Sequence, residues 1–280
     1  IKKKRMRSDC KDFRVTSSDG VTPLSHWIEN GCNSNATNIW VKVPSLAGAA
    51  AATIYAYYGN SSSASASDFA STFPNNYVLT NGSDTAVGPQ NYDWFEVGAG
   101  TTFNTQDEAV QEITARKIVV AGTVNGVARG FDGASVKGSG QGPGAGSYKS
   151  GAGYGGAGGQ GQTSAWGEGG TLGVSYGNVS SQEIHMGSGG GASDNIQAPG
   201  GDGGGAVIFD AAEVAIPGTV TMSGGTHNTG TNQNGGGSGG GILILASRVN
   251  LSGILSVIGG DADGGTVRAG GAGGGGGGRI

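Results

Sequence analysis

The chain has 280 residues, 61 of them glycine, and a formal net charge of −4. Hydrophobic residues make up 35% and charged residues 13%, too little apolar side chain for one large core to offset the backbone entropy of so much glycine. The acidic balance argues against nucleic acid as a general partner, and the sequence holds no apolar run long enough to cross a membrane as a helix.

The chain opens on Ile1 and reads as an internal piece of a longer polypeptide. The basic run from Lys2 to Arg7 reads as a solvated segment ahead of a strand. Apolar residues alternate over 13–16, a turn follows at 18–21, and alternation returns over 24–29. A third strand is predicted over 38–43, stopped by Pro44, and a fourth over 51–58, closed by Gly59 and Asn60. This spacing predicts a small antiparallel β-sandwich, jelly-roll-like, over residues 1–70. Cys10 and Cys32 are the only cysteines. Such a pair in a chain rich in Thr, Ser, Asn and Gly suits one extracellular disulfide, which the chain-entropy model values at about 3 kcal/mol. Two free thiols or half a metal site are the alternatives; no histidine stands at ligand spacing from either cysteine.

Several motifs carry a family resemblance: Met6 to Val15 with Cys10 inside, Ser18 to Leu24, Trp27 to Asn33 with Cys32 inside, Ile39 to Pro44, and Ile54 to Asn60. Together they resemble the domain of unknown function DUF2341. The resemblance implies a large secreted or surface-exposed bacterial or archaeal protein, often with lectin-like or adhesive modules beside this domain, and it implies no catalytic residues. A subset of such domains carries a cysteine pair where Cys10 and Cys32 stand. One or two further upstream strands are usual in the family, so an exposed sheet edge is expected here.

Residues 71–112 read as a connecting β segment, and residues 113–280 as a glycine-rich β-repeat region, solenoid-like. Its repeat strands are placed over 113–125, 207–225 and 242–260. The last two align without a gap, Ala211 on Ala246, Val214 on Val249, Ile216 on Leu251 and Gly218 on Gly253. Gly278, Arg279 and Ile280 read as the opening of another strand. Between the repeats lie glycine tracts without the Gly-X-Y register of collagen. Either they are flexible linkers, or they are polyproline-II-like segments whose backbone groups are satisfied by neighbouring tracts. Ordered packing is the expectation, because Tyr148, Tyr154, Trp166, Tyr176, Ile184 and Met186 interrupt them.

Candidate chemistry is sparse. The glycines at 200–205 precede a strand and no Gly-Lys-Ser/Thr follows, so phosphate-loop readings fail on context. His26, His185 and His227 lie in unrelated settings, and no nucleophile elbow is present. Asp261 and Asp263 are weak calcium candidates that read better as turn residues. Trp27 and Trp40 are candidates for stacking on sugars. Asn35, Asn60, Asn81 and Asn178 open glycosylation sequons; Asn250 opens another, within a repeat strand where burial is expected. No cofactor is implied, and no enzyme. The expected role is a structural segment of an extracellular filament, sheath or adhesin stalk, assembled as a homo-oligomer through strand addition and glycine packing, at the cell surface and in contact with glycans or other surface components. The alternative is a lectin-like carbohydrate-binding module. An ice-binding face is a weaker option, for want of regular threonine rows.

Overall fold

The computed structural model describes residues 6–32, 34–48, 51–162, 170–178, 180–193, 199–226, 233–262 and 271–280. Strand accounts for 33% of the described residues and helix for 2%, so the all-β expectation holds. The chain divides into two compact units, Ile1–Asn76 and Tyr77–Ile280.

In the first unit, β1 (Arg14–Thr16) pairs antiparallel with β4 (Tyr55–Tyr57). A second pair, also antiparallel, joins β2 (His26–Asn30) to β3 (Asn38–Val41). Alternation puts Phe13, Val15 and Leu24 into a small core, with Met6, Ile28, Ile39 and Val41 packed against it. The turn before β2 is built by Asp19, whose carboxylate accepts hydrogen bonds from Ser17 Oγ and from the Val21 and Thr22 amides. These bonds, led by the hydroxyls of Thr22 and Ser17, hold its pKa far below the usual carboxylate range. A single helical turn, α1 (Phe69–Thr72), is capped by Asp68, which accepts from Ser71 N at 3.0 Å.

The second unit is built of parallel strands. One sheet has the order β14 (Gly241–Leu251), β12 (Ala206–Ile216), β10 (Val110–Val120), β8 (Trp94–Val97), β5 (Asn76–Leu79), with β7 (Gln90–Asn91) also on β10. The other has the order β15 (Ile254–Ser256), β13 (Thr219–Thr221), β11 (Thr123–Asn125), β9 (Thr102–Asn104), β6 (Ser83–Thr85). Apart from β7, each strand of the first sheet is followed in the chain by one of the second. The sequence repeat is therefore the physical register: Ala211 pairs with Ala246, Val214 with Val249 and Ile216 with Leu251. Corner glycines stack as well. The amides of Gly122, Gly218 and Gly253 donate to the carbonyls of Val97, Val120 and Ile216 in the tier below, at 2.9, 2.8 and 2.8 Å. A Cβ on Gly253 would overlap the Gly218 carbonyl oxygen.

Alternation along β10 and β12 buries Ile113 over Phe209 and Ile118 over Val214, and Val120 and Ile216 are fully sealed as well. The pairing skips Arg116, Ala212 and Ser247, so the phase shifts at one level in all three long strands. At the lower end an aromatic stack closes the core, with Tyr77 stacked on Phe95 at 5.0 Å and Phe103 edge-on to Phe95 at 5.1 Å.

The glycine tracts are ordered by hydrogen bonds to one another. Tract 233–240 shows the rule. Gly235 and Ser238 donate to Gly191 and Ser188 of one neighbouring tract, both at 2.9 Å. Gly236 and Gly239 donate to Gly273 and Gly276 of a second, at 3.0 and 2.9 Å. Gly237 and Gly240 donate to Gly225 and Met222 of a third, at 3.1 and 2.7 Å. The carbonyls of Gly235 and Ser238 accept from Gly201 and Gly204, that of Gly236 from Ala152, and that of Gly237 from Gly260. The tract thus bonds to six others, and its partner repeats at every third residue. Tract 199–205 behaves alike: Gly200 and Gly203 donate to Ala134 and Phe131, while Gly201 and Gly204 donate to Gly235 and Ser238. At most of these glycines the spacing leaves no room for a Cβ. A Cβ on Gly237 would overlap the Asp202 carbonyl, and one on Gly240 that of Gly205.

Candidate functional surfaces

Cys10 and Cys32 form a disulfide, with Cα atoms 5.9 Å apart. That bond ties the N-terminal loop to the turn after β2 and fits an oxidising compartment.

Trp27 and Trp40 come together across β2 and β3, where they are paired in register. Both are half-buried against aromatic neighbours rather than presented flat to solvent. Trp27 meets Phe69 and Phe73 edge-on at 5.0 and 6.1 Å, and Trp40 meets Phe73 at 5.6 Å. The Trp40 indole N–H donates to Glu29 Oε2 at 2.7 Å. Sequence reading missed the two phenylalanines, which the single helical turn after Asp68 swings onto the tryptophans.

Asn35, Asn60, Asn81 and Asn178 are all exposed. Asn60 and Asn178 are turn-formers: Asn60 Oδ1 accepts from Ser62 N at 3.1 Å and Asn178 Oδ1 from Ser180 N at 2.9 Å. Asn250 is exposed as well, against the burial expected for a repeat strand, because β14 is the last strand of its sheet among the described residues. Asp261 is exposed, and its amide donates to Thr226 Oγ1 at 2.8 Å; Asp263, Trp166 and His227 lie outside the described residues, as does Lys2 to Arg5. Among the described residues no group of three His, Cys, Asp or Glu side chains could hold a metal ion, and no helix is long and apolar enough to cross a membrane.

His26 is buried beside Phe13, edge-on at 5.4 Å, and its Nε2 has no hydrogen-bond partner. Burial lowers its pKa below the ordinary histidine value. His185 joins Tyr154 and Tyr176 in a cluster at the edge of the glycine tracts. Its amide donates to Tyr154 Oη at 2.9 Å, the Tyr176 hydroxyl donates to the Met186 carbonyl, and the Arg279 guanidinium lies 5.2 Å over the Tyr154 ring. Burial pushes the Tyr176 phenol up to about 12.

Two ladders cross the parallel sheets. Threonines 102, 123 and 219 align on β9, β11 and β13, with Asn104, Asn125 and Thr221 two residues on. The Asn125 amide donates to Asn104 Oδ1 at 3.0 Å. The threonine row is three residues long, flanked by Ser83 on β6 and Ile254 on β15. The second ladder is charged. Register places Trp94, Lys117, Glu213 and Arg248 side by side across β8, β10, β12 and β14. The Lys117 ammonium lies 5.2 Å over the Trp94 ring and 3.6 Å from Glu213 Oε1, and Arg248 reaches Glu213 Oε2 at 4.0 Å.

Residues 9–96 match the family model described as a domain of unknown function, DUF2341. The matched stretch runs past Asn76 through β5, β6 and β7 into β8. No curated protein and no solved structure matches the chain.

Proposed function

We propose that this chain is a non-catalytic structural segment of an extracellular assembly, a filament, sheath or adhesin stalk. The observation that carries the reading is the bonding of residues 235–240 to three acceptor tracts in strict rotation. A strand in a sheet bonds to two neighbours in one plane. A backbone that offers its N–H groups in three directions, repeating every third residue, has the three-residue turn of polyproline II, which makes no internal hydrogen bonds and must be satisfied from outside. We read the second unit as a solenoid-like stack of strand pairs prolonged by a bundle of such helices. Stacked tiers in contact mainly with their neighbours form extended bodies rather than enclosed reaction sites.

The disulfide, the exposed sequons and the match to DUF2341 support placement outside the cell. The test is immunogold labelling of the native cell envelope with an antibody against the second unit. Label is expected along filaments, sheaths or stalks. Label confined to a diffuse, unassembled pool would overturn the proposal.

A further inference from the structure

The sequence holds four Asn-Gly steps, at 30–31, 81–82, 125–126 and 234–235. Asparagine is a chemically labile side chain, and before glycine it has a reaction of its own. The next backbone nitrogen attacks the side-chain carbonyl carbon and closes a five-membered ring, an approach that glycine permits because no Cβ stands in the way. In a folded chain the step depends on whether that nitrogen and that side chain are free.

Three of the four steps are held. Gly126 N donates to Thr221 O at 2.7 Å, while Asn125 Nδ2 donates to Asn104 Oδ1 and Asn125 Oδ1 accepts from Val127 N. Gly235 N donates to Gly191 O at 2.9 Å, and the buried Asn234 accepts from Ser193 N through its Oδ1. Asn30 is paired with Asn38 in the β2–β3 ladder, and its Oδ1 accepts from Asn38 Nδ2 at 3.0 Å. Asn81 and Gly82 differ. Both are exposed, and among the described residues neither the Asn81 side chain nor the Gly82 amide makes a hydrogen bond. The cause is position. Gly82 turns the corner from β5 to β6 with φ +67° and open space where a Cβ would stand. The corner glycines of the higher tiers, Gly98, Gly122, Gly218 and Gly253, each donate to a carbonyl of the tier beneath. Among the described residues of the second unit no strand lies beneath β5 and β6, so Gly82 has no such carbonyl to meet.

We propose that Asn81 is a site of spontaneous deamidation, and that its isoaspartate product loosens β6 from β9. Gly82 N attacks Asn81 Cγ, the Cγ–Nδ2 bond breaks, and ammonia leaves with the proton from Gly82 N. Water, the sole co-reactant, then opens the succinimide. Cleavage between the ring nitrogen and Cγ leaves aspartate. Cleavage at the backbone carbonyl leaves isoaspartate, with the main chain routed through Cγ and lengthened by a carbon atom. The added atom lies next to Gly82, whose carbonyl accepts from Thr102 N at 3.1 Å where the β6–β9 ladder begins. Asn81 also opens a sequon, and a side chain that has lost Nδ2 carries no N-linked sugar.

The test ages the purified chain in mildly alkaline buffer, folded or in denaturant, and follows each step by mass spectrometry of its peptides. In denaturant all four steps should turn from amide to acid at comparable rates. In the folded chain Asn81 should react close to its denatured rate, and the other three should slow by at least about tenfold, because each must first open a bonded segment. Asn81→Gln should remove the reaction at this corner. The Thr102 amide should exchange faster in the aged chain than in fresh Asn81→Asp, which carries the charge without the added atom. Protection of Asn81 on folding to the degree of the other three would overturn the site. Equal exchange at Thr102 in the two chains would overturn the loosening.

Discussion

Replacing Gly240 by alanine tests the packing of the glycine tracts directly. A Cβ at this position would overlap the carbonyl oxygens of Gly205 and Gly204. Relief requires the two tracts to separate, which breaks the bonds from Gly241 N to Gly205 O and from Gly204 N to Ser238 O. Two such bonds contribute about 2 kcal/mol. Overpacking adds about 1–3 kcal/mol. Alanine returns about 0.5–1 kcal/mol by restricting the unfolded chain. The net loss is about 2–4 kcal/mol, which lowers the melting temperature of a unit the size of Tyr77–Ile280 by about 5–15 °C. The controls lie in the same bundle. A Cβ on Gly277 meets nothing closer than Val257 O at 3.9 Å, and one on Gly156 nothing closer than Gly277 N at 3.9 Å. Alanine at either should leave the melt unchanged or raise it slightly. Calorimetry of the three variants beside the parent decides the matter. Equal melting temperatures for Gly240→Ala and Gly277→Ala would refute the close approach of these tracts.

Other outcomes follow from the core, the disulfide, the buried histidine and the charged ladder. Val220→Ala, a fully buried position between Val124 and Leu255, should cost about 1–3 kcal/mol by chemical denaturation, and Ile254→Ala, 61% exposed, close to nothing. Reducing Cys10–Cys32 should destabilise the first unit by about 3 kcal/mol and leave the melting of the second unchanged, as read by circular dichroism with and without reductant. His26 has a folded pKa below the ordinary 6.5, so the unfolded chain takes up its proton first as pH falls. Its contribution to the first unit is complete above pH 6.5 and is lost progressively below it. Denaturant midpoints between pH 7.5 and 5.5 should show this slope in the parent and lose it in His26→Phe. Glu213→Gln removes a carboxylate from between Lys117 and Arg248, and should destabilise the second unit by about 1–3 kcal/mol, with Lys117→Met on the same background restoring part of the loss.

The chain wrote some of this plainly and hid the rest. The in-register pairing of β12 with β14 was visible because the two units between Ala206 and Ser256 have equal strand lengths and corners, so the offset between Ala211 and Ala246 survives as a sequence repeat. The pairing of β10 with β12 was less legible, because the tracts from 126 to 205 intervene and destroy any fixed period. Strands of two to four residues, β5 to β9, are too short to show alternation at all. The strand ends in the first unit were legible, but the contacts of its tryptophans were not: Phe69 and Phe73 reach them only through a helical turn that one capping aspartate, Asp68, starts. Least legible was which glycine tract lies beside which. Glycine has no side chain with which to name a partner, so the choice resides in the lengths of the intervening segments and in a few larger residues such as Tyr154 and Tyr176 at the margins.

The rotation of hydrogen bonds around tract 233–240 has a mechanical consequence. A β-sheet is strong along its ladder and weak between faces, so it has a plane along which layers can shear. In this bundle the central tract bonds to six neighbours, where a strand in a sheet bonds to two in one plane. Sideways force meets the same kind of resistance from every side, as in a cable rather than a stack of cards. The packing can therefore be poor in side chains and still not delaminate.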